Sequence, residues 1–237
     1  MRLSAPIYQL KRRAKLLARE EKIPLHQAQD RIAAEEGFAA WSLLTSRFEA
    51  GEAGAEGALL PQLVAGDMLL IGARPGQGKT RLGLQLLLDA ARAGRRSVFF
   101  TLEYTEREAM ERIGALADHL PGPIPEIVTS DEISADFMVQ YLSGAGQGTV
   151  AVIDYLQILD QQRTKPSLWE QMKVLQAFTR GAGVILAFIS QIDRSYEPAS
   201  SSVPDLADLR LPNPIPPGIF SKACFLNAGE VRLQNLI

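Results

Sequence analysis

The chain has 237 residues, 46% of them apolar and 22% charged; that is enough to bury one substantial core with a smaller module beside it, and it excludes a disordered chain. A net charge of -2 means that any nucleic-acid contact has to come from a local basic patch rather than from the chain as a whole. The single cysteine, Cys224, excludes an intramolecular disulfide framework and a cysteine-based metal cluster, and its neighbours KACFL predict a buried thiol in a reducing compartment.

At the amino end, MRLSAPIYQLKRR carries no signal-peptide apolar region, and no later apolar run approaches the roughly 20 residues that span a bilayer. The expectation is a soluble cytoplasmic protein without a membrane partner. Ile7, Leu10, Ala14 and Leu17 recur at helical spacing, with Lys11, Lys15, Arg19 and Lys22 on another face. Residues 1–22 hold seven Lys/Arg against two Glu, whereas 23–57 hold two Arg against six Asp/Glu, so the predicted basic helix over 7–22 is a candidate for nucleic-acid backbone contact. The stretch IPLHQAQDRIAAEEGFAAWSLLTSRF predicts two more helices, the first opened by Pro24 and the second following Gly37, with Phe38, Trp41 and Leu44 packing. Together these make a small helical module at 1–50. Gly, Ala and Glu in EAGEAGAEGA then break every period, which places a linker at 51–59 before a larger domain at 60–237.

In that domain, short apolar runs alternate with helical stretches. Met68 to Ile71, Ser97 to Leu102, Thr149 to Ile153 and Val184 to Ser190 read as buried parallel strands, and 79–93, 105–119 and 167–180 as helices. The predicted class is α/β, a mostly parallel sheet with helices on both faces. Residues 194–217, rich in Pro and Ser, read as a long loop.

The segment GDMLLIGARPGQGKT sets a glycine-rich turn between a buried strand and a helix. Successive backbone N–H groups there point at one spot, and the positive helix end reinforces it as a phosphate cradle. The eight-residue pattern begins at Ala73, with the glycine one place earlier at Gly72. Lys79 would reach the β- and γ-phosphates and the Thr80 hydroxyl would bind Mg2+. Hydrolysis also needs a carboxylate near the metal and a group that positions water. Three strands end in such groups: TVAVID in Asp154, VFFTLE in Glu103 and VILAFISQ in Gln191. A carboxylate at Asp154 can reach the Mg2+ shell, Glu103 can orient or deprotonate water, and neutral Gln191 can sense a γ-phosphate without competing for the metal.

In this order, AGDMLLIGARPGQGKT, VFFTLEYTEREAMERI, VAVIDYLQIL, ISQIDRSYE and PDLADLR resemble the RecA-like motor domain of DnaB-family replicative DNA helicases, across roughly residues 60–233. The resemblance implies a RecA-like P-loop NTPase fold, ATP hydrolysis with Mg2+ as cofactor, and a homo-oligomeric, hexameric ring around single-stranded DNA. It makes Lys79 and Thr80 the Walker A pair, within a cradle of Ala73, Arg74, Pro75, Gly76, Gln77, Gly78, Lys79, Thr80 and Arg81. Glu103 becomes the catalytic glutamate, Asp154 the Walker B acid and Gln191 the sensor. DNA would be tracked by loops near 161–167, which holds Arg163 and Lys165, and near 194–203. The module at 1–50 does not resemble the family's amino-terminal domain, so primase docking is not implied. Where the family carries a Lys-x-Arg-x-Gly stretch reaching a neighbouring subunit's ATP site, this sequence reads GEVRLQNLI with Arg232 nearby, and slow turnover by the isolated protein is expected. A second reading keeps the same nucleotide site in a RecA-fold ATP-binding switch that recruits partners without unwinding DNA.

Overall fold

The computed structural model describes residues 7–44, 58–117, 123–160, 165–192, 215–227 and 230–236. Residues 51–57 of the expected linker, Arg163, Arg194 and most of the Pro- and Ser-rich stretch lie outside the described residues, whereas Leu59, expected in the linker, is buried in the core of the larger unit. The chain divides into two units, Met1–Gly57 and Ala58–Ile237.

In the first unit, α1 (Ile7–Glu20) is followed by α2 (Leu25–Glu35), and residues 41–44 are again helical. Pro24 stands at the amino-terminal cap of α2, a position where its missing N–H costs nothing. Gly37, with φ +85, turns the chain after α2. Leu10 and Ala14 pack with Ala28, Ile32, Ala33 and Leu44, and Phe38 and Trp41 lie against them. The charge imbalance read from the sequence is partly cancelled in space. Arg13 pairs with Glu35 at 2.7 Å and Arg31 pairs with Glu21, while Lys15 and Arg19 remain exposed.

The second unit is built on seven strands: β1 (Met68–Ala73), β2 (Ser97–Thr101), β3 (Glu126–Val128), β4 (Val150–Asp154), β5 (Ile185–Gln191), β6 (Lys222–Asn227) and β7 (Glu230–Asn235). Their order is β3-β2-β4-β5-β1-β6-β7, parallel throughout except for the antiparallel β6–β7 hairpin. The helices are α3 (Lys79–Arg92), α4 (Glu106–Leu116), α5 (Ala135–Tyr141) and α6 (Leu168–Ala182).

Because side chains alternate along a strand, each strand feeds two cores. Leu69, Ile71, Phe99, Val152 and Ile189 meet Leu84 and Leu87 of α3 and Ile113 of α4 on one face. Leu70, Phe100, Ile153 and Phe188 meet Met138 of α5 and Met172 and Leu175 of α6 on the other. Burying both faces is why these strands read as continuous apolar runs; each such side chain contributes about 1.5–3 kcal/mol relative to exposure. Cys224 is fully buried in the first of these cores.

At the opposite end from the carboxyl edge, β1 and β6 are clasped by charge. Asp67 accepts from Ser221 Oγ at 2.7 Å, Lys222 Nζ at 2.5 Å and the Val64 N–H at 2.8 Å. Burial pushes the Asp67 carboxyl up, but those hydrogen bonds outweigh it and hold the group below the usual carboxylate range. No helix among the described residues is long and apolar enough to cross a membrane.

Candidate nucleotide site

All four strands that end in a singled-out residue run parallel and side by side, so their carboxyl ends share one edge of the sheet. In register, Ala73 pairs with Gln191, Thr101 with Asp154 and Asp154 with Ile189. Glu103 lies two residues past Thr101 and Gln191 two past Ile189. Both therefore lie two residues beyond the level of Asp154, Glu103 in the bend after β2 and Gln191 at the end of β5. This is the edge at which open α/β sheets receive ligands.

The turn of residues 74–78 leaves β1 at this edge and enters α3. Gly76 and Gly78 hold φ of +77 and +87, and a Cβ at either would meet nothing within 4 Å. Glycine serves here for its left-handed backbone, not for lack of space. Gly72 is the reverse case. A Cβ there would sit 2.9 Å from the Phe225 ring of β6, so the glycine one place before the eight-residue pattern is set by strand packing, and Ala73, fully buried, can occupy the pattern's first position.

Helix ends in this unit are treated in two ways. Thr105 and Ser167 close α4 and α6 with capping boxes, and Ser134 caps α5. By contrast, α3 begins after Gly78 with no side-chain cap. Its first-turn amides and the positive end of its dipole face the 74–78 turn, an arrangement suited to a phosphate. Lys79 and Thr80 are the first two residues of that helix and are partly exposed.

Thr80 Oγ1 donates to Asp154 Oδ2 at 2.8 Å, joining the turn to the end of β4. Asp154 is buried, and its second oxygen, Oδ1, has no hydrogen-bond partner. Burial pushes the carboxyl up to about 6; the Thr80 bond opposes the rise, Glu103 adds to it, and the charges of Lys79 and Arg112 oppose it. A hydroxyl beside a buried carboxylate with an unused oxygen is a donor set that fits Mg2+. Among the described residues no three His, Cys, Asp or Glu side chains gather into a metal cage. Mg2+ binds through one or two protein oxygens and completes its shell with water and substrate phosphates.

Glu103 is exposed in the bend after β2, its N–H donating to Thr101 Oγ1 at 3.1 Å. Gln191 ends β5, partly exposed. Ala73 to Arg81, Glu103, Asp154 and Gln191 thus come to one edge. Of the loop expected at 161–167, residues 165–167 are among those described. Lys165 Nζ donates to the backbone carbonyls of Asp131 and Ile133 at 3.1 and 2.7 Å. Arg232 lies on β7 opposite Phe225, at the far side of the sheet from β2 and β4. The sequence reading missed Thr101, which reads there as one more residue of a buried strand; its only signal is its place two residues before Glu103.

No protein-family model matches the chain. It is 23% identical over 185 residues to the replicative DNA helicase DnaB of Mycoplasma pneumoniae (strain ATCC 29342 / M129 / Subtype 1), covering 61% of this chain and 39% of that protein. Among solved structures it is similar to an isolated ATPase domain (TM-score 0.56, 18% identity, 77% of this chain and 81% of that one). A DnaB-like replicative helicase, described with its interactions with primase, gives a TM-score of 0.56 at 19% identity, over 92% of this chain and 65% of that one. The fold is the RecA-like fold of DnaB-type helicase ATPase domains. The chain spans well under half of the curated DnaB it matches. In this DnaB-like fold the strand order, the uncapped α3 and the Thr80–Asp154 bond meet at one edge.

Proposed function

We propose that the 58–237 unit binds Mg-ATP at the carboxyl edge of its sheet, hydrolyses it, and couples turnover to action on single-stranded DNA. The observation that carries this reading is the Thr80–Asp154 hydrogen bond at the start of an uncapped helix, beside a second, unpartnered carboxylate oxygen. The α3 amides and Lys79 would bind the phosphates. Mg2+, held by Thr80 and Asp154, would neutralise charge on the phosphate oxygens. Glu103, exposed and two residues above the level of Asp154, would orient the attacking water and accept its proton, and Gln191 would contact the terminal phosphate.

The comparisons support a P-loop ATPase of the replicative-helicase type through fold and sequence. DNA contact, ring assembly and any trans-acting cation belong to the proposal. DNA would be met by the loops near 161–167 and 194–203, and by the exposed Lys15 and Arg19 of α1.

ATP turnover by the full chain, with and without single-stranded DNA, tests the reading. Wild type is expected to hydrolyse ATP, faster with DNA, and Lys79→Ala to bind nucleotide roughly tenfold or more weakly, having lost its charge-assisted phosphate bond. Normal ATP binding by Lys79→Ala would sink the nucleotide site. Turnover indifferent to DNA would favour the switch.

A further inference from the structure

β2 ends at Thr101, and Glu103 lies beyond it in the bend of residues 102–104 that leads to the cap of α4. Both ends of that bend are fixed. Thr101 pairs in register with Asp154 of β4, and Thr105 is locked to Glu108, its N–H and Oγ1 both donating to Glu108 Oε2 at 2.9 Å. Glu103 sits between the two, past the last paired residues of the ladder. Its N–H donates to Thr101 Oγ1 at 3.1 Å, and this is the one hydrogen bond that Glu103 makes among the described residues.

The anchor stands on the face that matters. Side chains alternate along a strand, and Phe99 belongs to the core beneath α3, so Thr101 shares that face. Val152 belongs to the same core, which puts Asp154 on the same face one strand away. Thr101 and Asp154 are both buried, whereas Glu103 is exposed. A β-branched side chain is stiff at its first torsion, so a buried threonine presents its oxygen at a fixed point. A glutamate carboxylate ends three torsions out from its backbone, and its reach to a water depends first on where that backbone stands. Misplacing a base costs rate, while phosphate affinity is set elsewhere, at the 74–78 turn and α3. Valine would fill the same strand position as well. What threonine adds there is the oxygen that takes the Glu103 N–H.

We infer that Thr101 is a positioning residue for hydrolysis, whose hydroxyl holds the backbone of Glu103 where its carboxylate serves the attacking water. This rests on the reading of Glu103 as the base of the nucleotide site. Because a hydroxyl makes the bond, serine can stand in for threonine and valine cannot.

Single-turnover ATP hydrolysis by the full chain, with nucleotide affinity measured separately, tests it. Thr101→Val is expected to lower the rate by roughly three- to tenfold, the worth of one hydrogen bond, with affinity for a fluorescent ATP analogue within about twofold of wild type. Thr101→Ser should keep the rate within about twofold. In a Glu103→Ala background, where no carboxylate remains to be placed, adding Thr101→Val should change the rate by less than about twofold. Thermal unfolding of each variant separates rate from folding. Thr101→Ser and Thr101→Ala lack the same methyl and differ in the hydroxyl alone, so a rate kept by serine and lost by alanine reads the same bond should valine disturb the strand. The inference is overturned if Thr101→Val keeps the wild-type rate while Glu103→Ala is slow, if serine falls as far as alanine, or if the valine loss persists in full without the Glu103 side chain. A wild type that does not hydrolyse ATP, or a Glu103→Ala variant as fast as wild type, overturns the reading of Glu103 and the inference with it.

Discussion

Thr80 Oγ1 and Asp154 Oδ2 lie 2.8 Å apart, joining the first turn of α3 to the last residue of β4 across 74 positions of chain. The same carboxylate has a buried oxygen with no hydrogen-bond partner, an arrangement that costs folding free energy until a ligand uses it. Asp154→Asn is therefore expected to act in two directions. Without Mg2+ the variant should melt at or above the wild-type temperature, because an amide is less penalised by burial than a carboxylate. With ADP and Mg2+ its stabilisation should be smaller than that of wild type, and no longer reduced by chelator. A metal-free variant that is less stable than wild type would show that the carboxylate is structural.

The clasp at the other end of the sheet gives a pH-dependent prediction. The Asp67 carboxyl is held below its usual range, so the stability it contributes is present above the unfolded value, near 3.8, and is lost as pH falls through the lower folded value. Asp67→Asn leaves Lys222, 13% exposed, without its charge partner and should destabilise the neutral protein by roughly 2–4 kcal/mol. The difference from wild type should shrink as pH drops below about 4. Denaturant unfolding at pH 7 and pH 3.5 checks this, and an equal loss at both would rule the ionic account out.

Two glycines predict opposite signs. An added Cβ at Gly72 meets Phe225 at 2.9 Å and Ile192 at 3.3 Å, both fully buried, so Gly72→Ala should cost about 1–3 kcal/mol by overpacking. Gly114, inside α4, has nothing within 4 Å of an added Cβ, so Gly114→Ala should stabilise by up to about 1 kcal/mol through helix propensity. Pairing Gly72→Ala with Phe225→Leu should recover part of the loss. Urea unfolding of the three variants reads both signs, and a neutral Gly72→Ala would show that β6 can move away.

Much of this edge is legible in the sequence because the signals are local. The cradle is one contiguous segment, and β1, β2, β4 and β5, buried on both faces, read as apolar runs ending in Ala73, Thr101, Asp154 and Gln191. What escapes depends on partners far away in sequence. β3 has three residues and is held by Arg96, whose guanidinium donates to both Glu126 oxygens at 2.8 and 2.9 Å. In α5 there are seven residues, too few for a period to show. β7 pairs only with β6, so its alternation is weak and its Val231 and Arg232 stay exposed. The role of Lys165 escapes for the same reason. Nothing near KPSLWE says that its ammonium ends on the carbonyls of Asp131 and Ile133.

Cys224 provides a check on the core. Burial pushes its thiol up to about 12, and it is fully enclosed between β1 and β7. Native protein at pH 8 should resist iodoacetamide over hours, and protein in denaturant should react at once, since the thiolate is the nucleophile. Rapid labelling of native protein would mean that β6 and β7 open readily.

Glu103 carries the prediction that bears most directly on chemistry. It is exposed, the described residues show no salt bridge to it, and only its backbone N–H is anchored, to Thr101. Glu103→Gln keeps size and polarity and removes basicity, so the fold and nucleotide affinity should persist while turnover falls by roughly 10²–10⁴-fold, the range of a lost general base. Equilibrium binding of a fluorescent nucleotide alongside single-turnover hydrolysis separates the two quantities. Binding lost together with turnover would place Glu103 among the phosphate contacts. Turnover retained would move the base elsewhere on the edge, to another residue within reach of the attacking water.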